Sequence, residues 1–173
     1  MGKAFLITGR PGVGKTTLLK RIVEKLPLKV GGFYTEEIRE GGKRVGFKIT
    51  TLDGEEGLLS RVGFPSPFKV GRYGVDLQSF ERIGVEALRR ALKECDLLVV
   101  DEIGKMELSS ETFRAVLEEA LKRGKSLLGT ILEKPHPWID QFKARPGVFL
   151  FRLTERNREE IERELLDQLL KSR

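Results

Sequence analysis

The stretch Gly9-Arg10-Pro11-Gly12-Val13-Gly14-Lys15-Thr16 constrains this chain more than any other. It fits G-x-x-x-x-G-K-[ST], a glycine loop whose backbone N–H groups curl inward around an anion. In that pattern Lys15 supplies a point charge for β- and γ-phosphates, and the Thr16 hydroxyl is a ligand for Mg²⁺. The motif needs a strand before it and a helix after it. Both are readable: Lys3 to Thr8 is a short apolar run, and Leu18, Leu19, Ile22, Val23 and Leu26 recur at helical spacing. The start of that helix adds the positive end of its dipole. Gly9, Arg10, Pro11, Gly12, Val13, Gly14, Lys15, Thr16 and the adjoining Thr17 are therefore the expected phosphate-binding residues.

A second stretch carries chemistry. Leu97-Leu98-Val99-Val100-Asp101-Glu102 is a run of apolar β-formers ending in acids, the pattern of a buried parallel strand that delivers a carboxylate at its end. This is the form of a Walker B strand, and it makes Asp101 the partner of Thr16 in holding Mg²⁺, which keeps several waters and asks little of the protein. Glu102, directly beside the metal acid, is the expected base that polarises an attacking water, with Lys15 as the second catalytic group; the plain alternative for Glu102 is an ion pair at a strand end. Asp101-Glu102-Ile103-Gly104 also fits D-x-x-G, which brings Ile103 and the Gly104 N–H towards the nucleotide. The guanine-reading N-K-x-D is missing, since Asn157 is the only Asn and Arg158 follows it.

The rest of the chain alternates strands with helices. Phe33 to Arg39, the turn Gly41-Gly42 and Lys43 to Thr50 read as a hairpin, with Tyr34 opposite Ile49, Glu36 opposite Phe47 and Ile38 opposite Val45. Glu36 is expected at an edge with its acid swung to solvent; a place facing the nucleotide is the sharper alternative. Residues 51–73, rich in Gly, Pro and Ser, read as irregular with at most one short strand. Asp76 caps a helix that Gly84 interrupts, and Ser109 or Ser110 caps the next, which ends at Gly124. Ser126 to Ile131 and Val148 to Phe151 are further strands, and a final helix carries Ile161, Leu165, Leu166, Leu169 and Leu170. Thr130 falls at the strand end where P-loop proteins with an additional central strand keep a polar sensor. The order argues one α/β domain over residues 1–173, a mainly parallel sheet flanked by helices with an added antiparallel hairpin. Ligands of such sheets bind at the carboxyl ends of the strands.

Composition closes off other classes. One cysteine, Cys95, and one histidine, His136, leave no disulfide framework or zinc site and suit a reducing cytoplasm. No segment is apolar enough to span a membrane. The net charge of +6 is spread among interleaved acids, which argues against a nucleic-acid partner. The Lys, Glu and Arg content resembles that of thermophilic proteins. Arg145, Arg156 and Arg158 are the candidates for an arginine finger, and Tyr34, Tyr73 or Phe142 for stacking on a base.

Beyond these local patterns the chain resembles the THEP-type nucleoside-triphosphatases, a family that also contains the cancer-related nucleoside-triphosphatase. The likeness lies in Gly9 to Thr17, Gly32 to Glu37, Gly46 to Ile49, Val75-Asp76-Leu77, Asp101 to Glu107 and Gly129-Thr130-Ile131. Leu132 departs from it, standing where the pattern leads one to expect Pro. The resemblance implies a P-loop NTPase with a RecA-like core. It implies a cytoplasmic, Mg²⁺-dependent hydrolase of nucleoside 5′-triphosphates with broad base tolerance, and a monomer is the expected state. Two other readings of the residues stay open: a small nucleotide or nucleoside kinase, and a nucleotide-dependent RNA-binding or regulatory module.

Overall fold

Strand β1 (Ala4–Thr8) is buried along its whole length and passes through the glycine loop into helix α1 (Lys15–Lys25). The structure, a computed structural model, describes residues 1–171. The chain continues through β2 (Val30–Glu40), β3 (Lys43–Thr51), β4 (Glu56–Val62) and the short β5 (Lys69–Val70) and β6 (Tyr73–Val75). A continuous helical segment follows: one turn, α2 (Leu77–Ser79), a π-helical stretch over Phe80–Val85, and α3 (Glu86–Glu94). Then come β7 (Leu97–Ile103), α4 (Glu111–Lys122), β8 (Ser126–Ile131), α5 (Pro137–Lys143), β9 (Val148–Arg152) and α6 (Arg158–Lys171).

Among the described residues the nine strands form one sheet, ordered β5-β6-β4-β3-β2-β7-β8-β1-β9. From β2 to β9 the neighbours run parallel; from β2 outward to β5 they run antiparallel. Strand β8 lies between the P-loop strand β1 and the acid-bearing β7. The strands of the parallel core read as unbroken apolar runs because helices cover both faces. Alternate residues go to opposite sides: Ala4, Leu6, Leu98 and Val100 join the core under α3 and α4, while Phe5, Ile7, Leu97 and Val99 join the core under α1 and α6.

Two expectations are corrected. Residues 51–73 hold β4, β5 and the first residue of β6, more than the one short strand expected, because frequent Gly, Pro and Ser punctuation masked such short strands. The hairpin register is the second. Gly41 and Gly42 both have positive φ (56° and 77°), the two-residue turn their lack of a Cβ allows. Arg39 then pairs with Arg44 as expected, but Val45 is an extra residue, a bulge. Beyond it Ile38 faces Gly46, Glu37 faces Phe47, Glu36 faces Lys48 and Tyr34 faces Thr50, one step from the expected pairing. Alternation could not reveal the slip, because Val45 and Phe47 are both apolar and Gly46 has no side chain between them.

The helix signals read from the sequence operate as local bonds. Asp76 Oδ1 accepts the Ser79 N–H at 3.1 Å, and Gly84 lies within the π-helical stretch. Ser110, not Ser109, caps α4: its Oγ accepts the Phe113 N–H at 3.0 Å and donates to Glu81 Oε2 at 2.6 Å, tying the π-helical stretch to α4. Ser110→Ala removes a cap and leaves Glu81 short of a donor, a loss on the order of 1–2 kcal/mol. Thermal melts are expected to show a Tm lower by roughly 3–8 °C for a chain of this size. An unchanged Tm would show that water replaces the cap without cost.

Candidate active site

The carboxyl ends of β1, β7 and β8 lie side by side on one rim, and the chemistry-bearing residues sit there. Leaving β1, the loop turns with positive φ at Gly12 (80°) and Gly14 (104°). The left-handed φ at Gly14 strains any side chain, and a Cβ there would also displace the guanidinium of Arg158, which donates to the Val13 carbonyl at 3.1 Å. Val13 itself is buried in the core beneath the loop. Lys15 Nζ donates to the Gly9 carbonyl at 2.9 Å and lies 3.7 Å from Glu102 Oε2.

Asp101 is 2% exposed. Its Oδ2 accepts the Thr16 hydroxyl at 2.9 Å, its Oδ1 the Thr130 hydroxyl at 2.7 Å, and the Thr35 N–H also donates to it. Burial pushes its carboxyl above the ordinary carboxylate value, and these three donors pull the other way. The next peptide, Asp101–Glu102, is cis. Glu102 is a third exposed on the cavity side; burial raises its pKa and the Lys15 ammonium opposes the rise.

Behind Glu102 is an acid that sequence reasoning gave no role. Glu107 is buried, its carboxylate accepting the N–H groups of Gly104 and of Glu107 itself. A Cβ built on Gly104 would come within 2.7 Å of Glu102 Oε1 and 3.1 Å of Glu107 Oε1, so both carboxyls close on that glycine. Burial first, and the charge of Glu102 second, push Glu107 well above the usual glutamate range, which favours its neutral form.

One cavity of ≈ 350 Å³ joins these groups. Of the residues expected at the phosphates, Gly9, Pro11, Gly12, Lys15, Thr16, Asp101 and Glu102 line it. The others do not reach it with their side chains. Arg10 turns outward to pair with Glu155, Thr17 is exposed elsewhere, and Ile103 is fully buried in the core under α4. Gly104 is held behind Glu102. Glu36 is exposed, as expected, pairing with Lys20 at 3.4 Å, and it also lines the cavity.

The cavity also takes Thr35, Glu37, Arg44 and Phe47 from the hairpin, and Leu132, Glu133 and Lys134 from the loop after β8. None of these was singled out as lining the site; only the glycine turn hinted that the hairpin projects. The expected arginine fingers are elsewhere. Arg145 pairs with Glu118 over the Phe142 ring, Arg156 lines a separate depression with Arg152, and Arg158 braces the loop from behind. The expected base-stacking aromatics are also committed: Tyr34 lies under Lys20, Tyr73 holds Arg44, and Phe142 stacks on Trp138. Burial pushes the Tyr34 phenol up to about 12.

Among the described residues no three His, Cys, Asp or Glu side chains are grouped to hold a metal ion, so soft or nitrogen-rich metal chemistry has no cage here. What is present is a hydroxyl and a carboxylate 2.9 Å apart beside a phosphate-binding loop, a donor set of hard oxygens that fits Mg²⁺.

A glycine loop between strand and helix, with an acid two strands away and an intervening strand carrying Thr130, defines a P-loop nucleotide-binding fold with an additional central strand. The chain belongs to the protein family described as NTPase, whose profile matches residues 4–166. It is 53% identical over 165 residues to the nucleoside-triphosphatase THEP1 of Thermotoga maritima, covering 95% of this chain and 94% of that one. It is 42% identical over 176 residues to the human cancer-related nucleoside-triphosphatase, covering 91% and 92%. The crystal structure of THEP1 from Aquifex aeolicus superposes with a TM-score of 0.87 at 39% identity, over 96% of this chain and 98% of that one. No described helix is long and apolar enough to cross a membrane.

Glu107 makes a stability signature. An acid whose pKa is higher folded than unfolded loses stability as pH rises from its unfolded value, 4.5, towards its folded one. Glu107→Gln keeps the shape of the protonated acid and cannot ionise. Its Tm relative to the parent is therefore expected to climb as pH is raised from 4.5 through neutrality. Melts across that range check this, and a difference that stays flat would mean that Glu107 is ionised in the fold.

Proposed function

We propose that this chain is a Mg²⁺-dependent hydrolase of nucleoside 5′-triphosphates, releasing the diphosphate and inorganic phosphate. The observation that carries the reading is the meeting of Lys15, Thr16, Asp101 and Glu102 on one cavity, with Glu102 3.7 Å from Lys15. A carboxylate in that place is beside the γ-phosphoryl group that Lys15 would hold. The names of the relatives, nucleoside-triphosphatases from bacteria to man, support the same activity.

Thr16 and Asp101 are the residues that would hold the metal. When bound, Mg²⁺ neutralises charge on the β- and γ-phosphates. The loop amides and Lys15 bind and orient the triphosphate. Glu102 accepts a hydrogen bond from a water and aims its oxygen at the γ-phosphorus. The new water-oxygen–phosphorus bond forms as the bond from phosphorus to the β–γ bridging oxygen breaks. The electron pair leaves with the diphosphate, and the water's proton passes to Glu102 and then to solvent. Glu107, sealed behind it and pushed towards its neutral form, limits a second negative charge at the same spot.

We also propose that the activity belongs to a single domain acting as a monomer in the cytoplasm, a reading that rests on the composition and the lone buried Cys95. Base tolerance should be broad. Lys15, Thr16, Asp101 and Glu102 in the cavity are of the kind that serve phosphates and metal, which all nucleotides share, and N-K-x-D is absent.

Glu102→Gln is isosteric but cannot take the water's proton. It is expected to bind nucleotide as the parent does and to lose a factor of about 10²–10⁴ in turnover. Loss of binding with turnover per bound nucleotide intact would reassign Glu102 to a structural role. The wider reading is tested by phosphate release from ATP, GTP, CTP and UTP with Mg²⁺, with and without added nucleosides and monophosphates. The four kcat/KM values are expected to fall within about two decades. A preference of about three decades or more for one base would end the claim of tolerance, and stoichiometric phosphoryl transfer to an added acceptor would make the protein a kinase.

A further inference from the structure

The β2–β3 hairpin runs past the rim of the parallel core. Thr35 is level with Asp101, to which its N–H donates, and Glu36–Glu40 continue beyond it to the turn. Five extended residues reach roughly 16 Å, so the hairpin overhangs the glycine loop. Without the bulge Arg44 and Phe47, three residues apart, would leave on opposite faces of the ribbon. The extra residue Val45 cancels that. Arg44 sits across from Arg39 and Phe47 across from Glu37, and the Arg44 guanidinium lies over the Phe47 ring at 5.2 Å. Bulges near active sites commonly re-aim a side chain in this way.

Arg44 is then fixed where it points. Its Nε donates to the Tyr73 hydroxyl at 2.9 Å and its Nη1 to Glu37 Oε1 at 3.4 Å. Its Nη2 has no partner among the described residues, and the side chain opens into the cavity of Lys15, Thr16 and Glu102. Other cations near the loop are otherwise engaged: Arg10 pairs with Glu155 and Arg158 holds the Val13 carbonyl. Lys134 lines the cavity too, but from an exposed loop position with no bracing partner among the described residues. A charged guanidinium held by an aromatic hydroxyl, a carboxylate and a ring, with a free N–H edge towards a phosphate loop, is arranged to receive an oxyanion.

We propose that Arg44 is a catalytic residue of the hydrolysis proposed above, contacting the γ-phosphoryl oxygens and stabilising the charge they carry as phosphorus passes from the bridging oxygen to water. Arg44 neither gives nor takes a proton in that step. The inference rests on the hydrolase reading, and the assay separates the two. The variants are Arg44→Ala, Arg44→Lys, which keeps a cation on the hairpin, and Tyr73→Phe, which removes the brace together with a longer contact from Arg72. Arg44→Ala is expected to lower kcat by about 10³, with diphosphate affinity unchanged within about threefold, because the diphosphate has no γ group to lose. Trapping of the diphosphate with aluminium fluoride, a mimic of the transferring group, is expected in the parent and absent in Arg44→Ala. Guanidinium ion added at millimolar concentration is expected to restore part of the Arg44→Ala turnover, and Tyr73→Phe to lower kcat with diphosphate affinity intact. Turnover of Arg44→Ala within about fivefold of the parent, or equal losses in diphosphate affinity and kcat, would overturn the assignment. If the parent itself releases no phosphate, the hydrolase reading falls. Arg44 is then judged by affinity alone, and it fails if the Ala variant still prefers a non-hydrolysable triphosphate over the diphosphate as the parent does.

Discussion

The rim is held together by one buried carboxylate. Asp101 takes a hydroxyl from α1, a hydroxyl from β8 and a backbone N–H from β2, so three elements and its own strand meet on two oxygens. A carboxylate sealed from water without such donors costs several kcal/mol, which makes the arrangement self-enforcing: the strands close in register or the charge is stranded. Because β8 separates β1 from β7, the acid and the loop are about two strand spacings apart, roughly 10 Å, and Thr16 bridges part of that gap. The same bonds hold Asp101 in one rotamer beside the loop that would receive a nucleotide's phosphates.

Three acids within seven residues are given three environments. Asp101 is buried but satisfied, Glu102 is open on one side and faced by Lys15, and Glu107 is sealed and pushed towards its neutral form. Separate environments are how neighbouring carboxyls avoid competing for one role. Were Glu107 charged, Glu102 would feel repulsion from both sides, with Lys15 alone to offset it.

What the sequence made legible is what is encoded locally. A glycine loop between an apolar run and a helical stripe, an apolar run ending in acids, and Thr130 at a strand end all found their places, because each needs only its own neighbours. The hairpin was seen and its turn placed, yet its register was missed beyond Ile38, because one extra residue leaves no mark on the alternation of apolar side chains. With the register went Arg44 and Phe47, whose approach to the cavity depends on it. Arg145 and Arg156 were drawn from the right kind of residue but the wrong faces, since which way a surface arginine leans is decided by partners distant in sequence, here Glu118 for Arg145. Glu107 stayed unassigned for the same reason: its burial is a tertiary fact.

The sheet order also governs when the loop becomes firm. Strand β1 has its partners in β8 and β9, and the carbonyl of Val13 is clasped by Arg158, the first residue of α6. Strand β1 therefore depends for both its neighbours on residues 126–152, more than a hundred residues further along the chain. The antiparallel hairpins close over short loops and can form from local contacts, whereas the glycine loop is firm only when distant segments have docked on β1.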